Sequence, residues 1–142
     1  MSRTRIIGLA AVLLVFVAGS AMAQLTPVQE LGKSIYFDTN LSVPPGMACA
    51  TCHDPAAGFA GPDSDINATQ VAYPGAISKR AGNRKPPTAA SGDFSPVMFY
   101  DAAEGLVVGG QFWDGRATGW NLGDPLADQA LGPFLNPVEM AN

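Results

Sequence analysis

Cysteine and histidine are scarce in this chain, with two of the first and one of the second in 142 residues. That scarcity argues against a structural zinc site, which takes four ligands where only three side chains of the usual type exist. Basic residues are few as well, 8 Lys and Arg against 12 Asp and Glu. Such a balance makes the chain a poor partner for nucleic acid, whose phosphates call for a basic face. The one apolar run, Ile6 to Val17 broken only by Gly8, is too short and wrongly flanked for a stable membrane span. No internal repeat or low-complexity tract is evident.

What the chain does have is concentrated. Both cysteines and the histidine fall in one pentapeptide, Cys49-Ala50-Thr51-Cys52-His53. This is C-x-x-C-H, the attachment pattern of a c-type haem. The two thiols add across the haem vinyl groups, and the neighbouring imidazole of His53 becomes the proximal iron ligand. On a short helical turn, residues three apart lie on one face and the next residue swings under the ring. A disulfide or a redox dithiol with an incidental histidine alongside is the bland alternative.

The N-terminus agrees with the haem. Arg3 and Arg5 precede the apolar run, and Ala21-Met22-Ala23 follows it as an A-x-A cleavage site. Residues 1–23 therefore read as a secretory signal peptide, against the rival of an uncleaved anchor helix. Haem c is attached on the far side of the bacterial inner membrane, so both features point to the periplasm. Cleavage removes Arg3 and Arg5 and takes the formal charge from −4 to −6. An acidic surface suits encounter with a small basic electron donor through long-range steering. Residues 24–142 allow one domain, rich in turns (Gly 16 and Pro 12 in the whole chain), whose modest core needs the haem to complete it.

The spacing predicts a helix from about Thr26 to Phe37, with Thr26 as cap, Pro27 in first position and Gln29 completing a capping box. Val28, Leu31 and Ile35 would turn one face inward. Asp38 to Gly46 reads as a loop, and Asp54 to Gly110 as a long loop-like stretch wrapped on the haem edge, with Phe94, Val97, Met98, Phe99 and Tyr100 as packing candidates. A second helix should open at Asp124 with Pro125 in first position and stop at Gly132-Pro133, after about Leu131. The predicted fold class is all-α, a cytochrome-c-like haem domain with long irregular loops. Pro137 to Asn142 looks like an element beginning, which suggests a fragment, although a short tail would look the same.

Several stretches in order carry a resemblance. They are Leu31 to Asp38, Leu41-Ser42, Cys49 to Phe59, Arg84 to Thr88, Phe112 to Ala117, and Gln129 to Pro133 leading into Asn136-Pro137-Val138-Glu139-Met140. On these the chain resembles the N-terminal, peroxidatic half of the bacterial dihaem cytochrome c peroxidases and MauG-like enzymes. The resemblance implies that His53 binds the peroxide-reacting haem iron and that Glu139 is the distal acid–base group. Peroxide loses one proton on binding, and the departing oxygen gains one. Gln129 would orient the peroxide or the glutamate, and Trp113 would sit between two haems and assist electron passage. The implied partners are hydrogen peroxide and a small periplasmic cytochrome or copper protein, and the resemblance admits a homodimer.

Three departures stand out. Gly119 to Asp124 reads as an insertion that would reshape the distal rim. Lys85 replaces the Asn with which many members hold calcium, so an Asn-based calcium site is doubtful; Arg84 and Lys85 could instead meet haem propionates. With His53 the only histidine, no second histidine can block the distal side. The expected function is peroxide reduction, with MauG-like oxidation of a partner protein as a variant. The rival is a monohaem electron carrier, with Met47, Met98 or Met140 as its second axial ligand.

Overall fold

A computed structural model describes residues 24–70 and 72–142; the proposed leader, 1–23, lies outside the described residues. Thr26 opens the first helix, α1 (Pro27–Phe37), through a reciprocal capping box. Its Oγ1 accepts from the Gln29 N–H (3.3 Å), and Gln29 Oε1 accepts from the Thr26 N–H (2.8 Å). The inward face expected of α1 is not formed as a stripe. Val28 and Leu31 are exposed (79% and 61%), and a helix buries an apolar face only where something covers it. The chain divides into two units within α1, after Leu31, and the site lies wholly in Gly32–Asn142.

After α1, Asp38 caps a single 3-10 turn at Thr39–Leu41. Ser42 follows, the most buried polar residue among those described, at 1% exposure. Its hydroxyl donates to the Pro44 carbonyl (2.8 Å) and accepts from the Met47 N–H (3.0 Å). Next comes the four-residue α2 (Cys49–Cys52). Thr51 Oγ1 accepts from the Ala48 N–H (3.0 Å), and the His53 N–H donates to the Cys49 carbonyl (2.9 Å). These bonds close one helical turn of the kind the motif requires.

The segment from Asp54 to Gly110 holds more regular structure than its composition implies. Asp63 caps α3 (Ser64–Thr69), its Oδ1 accepting from the Asp65 and Ile66 N–H groups at 2.9 Å. Strands β1 (Phe99–Asp101) and β2 (Leu106–Val108) pair antiparallel, with Phe99 opposite Val108 and Tyr100 opposite Val107. Asp101 Oδ1 takes the Ala103 N–H (2.9 Å) and Gly105 turns the chain at φ +68°. The all-α expectation therefore gives way to helices plus one small hairpin. Six- and three-residue elements are too short for periodicity to reveal. Phe94 to Tyr100 do not wrap the cavity described below: Phe94 and Tyr100 are exposed, and the Met98 side chain packs on Gly110 and Gly115.

The last helix, α4 (Pro125–Leu135), starts as expected, with Asp124 Oδ1 accepting from Leu126 (2.7 Å) and Ala127 (3.2 Å). It ends one turn later than expected. Gly132 precedes Pro133 without a Cβ, which removes part of the usual clash, so the helix runs through the proline. Asn136, before Pro137, takes the extended conformation (ψ 119°) and ends it. The insertion at Gly119 to Asp124 is gathered on Asp128, whose carboxylate accepts from Gly119 (2.8 Å) and Leu122 (3.1 Å). Trp120 donates its indole N–H to the Met98 carbonyl (2.9 Å). Neither the insertion nor Trp120 lines the cavity. The buried apolar residues among those described are Ala48, Ala72, Tyr73, Ala117 and Met140, a small core for a chain of this length.

Candidate active site

A cavity of about 750 Å³ is lined by Cys49, Cys52 and His53 together with Trp113, Gln129 and Glu139. The six residues given haem-binding or catalytic roles by the motif and the resemblance thus line one cavity. Ile35, Tyr36, Phe59, Leu126 and Phe134 supply apolar wall, and Arg84, Lys85 and Arg116 bring positive charge to it. Met47 and Met140 also line it; Met98 does not.

His53 is held by a turn close to it in sequence. Asp54 caps a 3-10 turn at Pro55–Ala57, and Gly58 and Phe59 both follow in the left-handed region (φ +66° and +59°). The Phe59 N–H donates back to the Asp54 carbonyl (2.8 Å), and the Asp54 N–H donates to Ala60 (3.0 Å). This fold-back sets the Phe59 carbonyl 3.2 Å from His53 Nδ1. A carbonyl only accepts, so Nδ1 carries the hydrogen and Nε2 is left with its lone pair, as an iron ligand needs. The same carbonyl also accepts from the Ala89 N–H (3.0 Å), latching the loop that carries Arg84 and Lys85. Tyr36 donates its hydroxyl to the His53 carbonyl. Burial, then the nearby Cys49 and Asp54, push the Tyr36 phenol up to about 12, so it remains a donor.

The two thiols are unpaired. Burial pushes both above the ordinary thiol range, Cys52 to about 11 with help from Glu139 and Cys49. Neutral thiols in apolar surroundings are unlike an activated redox pair or a zinc-bound thiolate. Among the described residues no group of three or more His, Cys, Asp or Glu side chains could hold a metal ion by itself. The volume lies in the range of cofactor sites, and the lining is largely apolar with a few placed polar groups. Two free thiols, an oriented imidazole and this cavity fit a covalently attached haem.

Glu139 is placed by contacts far away in sequence. Its backbone carbonyl accepts from the Ala76 N–H (2.7 Å), and Gly75 packs so closely that a Cβ there would stand 1.9 Å from the Val138 carbonyl oxygen. The carboxylate Oε1 accepts from Asn136 Nδ2 (2.7 Å). Burial pushes the carboxyl above its ordinary range; the charges of Arg116 and His53 pull the other way without cancelling this. Gln129 shares the cavity, yet the hydrogen bond to Glu139 comes from Asn136. Trp113 lines the cavity while 85% exposed. Arg116 chelates Asp114 through two bonds (2.9 and 2.8 Å) and lies 3.6 Å over the Phe112 ring, and Arg84 reaches the same carboxylate at 3.3 Å. Gly75, Ala76 and Arg116 had no assigned role in the sequence reading. Only the Phe112 to Ala117 run pointed toward Arg116.

Residues 27–142 match the family described as di-haem cytochrome c peroxidase. The chain belongs to that family. Di-haem cytochrome c peroxidases are haem c proteins and peroxidase-type oxidoreductases, in keeping with the cavity just described. Methylamine utilization protein MauG of Paracoccus denitrificans is 39% identical over 133 residues, spanning 91% of this chain and 32% of that protein. Cytochrome c551 peroxidase of Pseudomonas aeruginosa is 37% identical over 112 residues, spanning 79% of this chain and 25% of that one. The crystal structure of the diheme peroxidase BthA from Burkholderia thailandensis superposes with a TM-score of 0.71 at 34% identity, over 87% of this chain and 29% of that one. The chain thus spans about a third or less of the length of these relatives.

Proposed function

We propose that this chain forms the peroxide-reacting haem domain of a periplasmic peroxidase. The observation that carries the reading is that Cys49, Cys52, His53 and Glu139 line one cavity. Cys49 and Cys52 would hold the haem by thioether bonds, and His53 would ligate its iron through Nε2. Bound haem supplies the iron at which peroxide is held and reduced. Glu139 then takes a proton from peroxide and returns it to the departing oxygen. Its half-buried setting suits that task, since a carboxyl above its ordinary range is a stronger base and holds the proton it has taken, nearer neutral pH, until the departing oxygen receives it. Gln129, which lines the cavity, would orient the peroxide, and Arg84, Lys85 and Arg116 would meet the propionates. Trp113, at the exposed edge of the cavity, would pass electrons from a second haem domain fed by a small periplasmic cytochrome or copper protein.

In the haem-loaded protein, Glu139→Gln should slow peroxide cleavage by about 100-fold or more while haem attachment is retained. Unchanged turnover would remove Glu139 from the mechanism. Oxidation of a partner protein is a variant favoured by the identity with MauG. The electron-carrier reading draws on Met47 and Met140 at the cavity wall. A sulfur-to-iron charge-transfer band in the oxidised spectrum would establish it and exclude an open peroxide site.

A further inference from the structure

The hydrogen bond between Asn136 and Glu139 assigns the two carboxylate oxygens different jobs. Asn136 ends α4 in an extended conformation, and its side chain does two things at once. Oδ1 accepts from the Val138 N–H (3.0 Å), which makes a tight turn, while Nδ2 donates to Glu139 Oε1 (2.7 Å). The backbone repeats the grip, because the Asn136 carbonyl accepts from the Glu139 N–H (3.1 Å). No hydrogen bond among the described residues reaches Oε2. A second cavity, of about 370 Å³, is lined by Asn136 together with Phe112, Arg116, Pro133 and Glu139. The last four also line the larger cavity; Asn136 does not. Asn136 therefore holds the carboxylate from outside the haem cavity.

We propose that Asn136 is the positioning residue of the acid–base step, fixing Oε1 as a permanent acceptor so that Oε2 is the oxygen that takes up and returns the proton. An amide N–H can only donate, so a proton on Oε1 would oppose it. One proton moves from peroxide to Oε2 and then from Oε2 to the departing oxygen, leaving Glu139 as it began. The electrons come from the reductant of the family's reaction. The inference rests on the acid–base reading of Glu139 given above. The other groups around the carboxyl are Arg116, His53 and Cys52, each of which interacts with it electrostatically. Tyr73, on the loop packed beneath it, has its hydroxyl engaged instead by Asp63 and Asn67.

The test separates donation from turn-making. Asn136→Asp keeps the acceptor for the Val138 N–H and replaces the donor with a second carboxylate oxygen; Asn136→Ala removes both. In the haem-loaded protein, Asn136→Asp should lower the rate of peroxide cleavage roughly 10- to 100-fold. Two carboxylates sharing one proton should also move the acid limb of the pH–rate profile to higher pH. Without a peroxide reaction, the infrared band of protonated Glu139, identified by its loss in Glu139→Gln, should shift in Asn136→Asp and Asn136→Ala. If Asn136→Asp and Asn136→Ala match the wild type in rate, pH profile and infrared band, the proposal is overturned. Glu139→Gln keeps the two failures apart. A slow Glu139→Gln beside a normal Asn136→Asp overturns the assignment to Asn136 alone, whereas a normal Glu139→Gln overturns the acid–base reading as well.

Discussion

The turn around His53 and the turn around Glu139 line the same cavity and are built in opposite ways. The first is nearly self-sufficient: α2 closes on its own hydrogen bonds, and Asp54, Gly58 and Phe59 bring a carbonyl to the imidazole within six residues. The second depends on Gly75 and Ala76, more than sixty positions away, for its backbone. Ser42 and Val43 join the two, since Ser42 holds the Met47 N–H and the Val43 N–H donates to the Met140 carbonyl (2.8 Å). An attachment motif can thus be encoded in five residues, while the proposed acid–base group in the same cavity requires several loops to arrive together.

Substitutions that strike one turn and spare the other test this contrast. The largest effect is expected from replacing Cys49 and Cys52 together by serine, which removes both points of attachment; haem staining of the denatured protein should vanish. Gly75→Ala should do the reverse. A Cβ cannot occupy a position 1.9 Å from the Val138 carbonyl oxygen, so the Glu139 turn must move. Haem staining should persist while peroxide turnover falls about 100-fold, the scale of a misplaced reacting group. Equal loss of both would mean that the two turns are not separable. Ser42→Ala lies between them and leaves the Met47 N–H and the Pro44 carbonyl without their partner. Urea unfolding should show a loss of about 1–3 kcal/mol.

The smallest effect is one of stability and pH. Burial raises the Glu139 carboxyl, so the folded chain binds that proton more tightly than the unfolded chain. The associated stabilisation is full below the ordinary carboxylate range and is lost as pH rises through the raised value. Glu139→Gln, free of this loss, should melt above the wild type near about pH 7, with the gap closing toward about pH 4.

What was legible in the sequence was local. The Thr26 capping box, the Asp124 cap and the C-x-x-C-H turn each lie within a few residues and have a physical signature at that range, whereas Trp113, Gln129 and Glu139 stood out only through the ordered family resemblance. The Phe59 carbonyl gave no signal of that kind, because a backbone oxygen has no letter of its own. Gly75 looked like any loop glycine until Val138 was found against it. Phe94 to Tyr100 misled for a related reason: aromatic content says that a segment can pack, not on what.

Phe59 also gives this protein an internal gauge. One carbonyl oxygen serves two donors, the His53 ring and the Ala89 amide. Deuterium uptake at that single amide therefore reports on the seat of the imidazole from the outside. Any event that loosens the ring, or any partner that lifts the 84–89 loop, will be written in how quickly Ala89 exchanges.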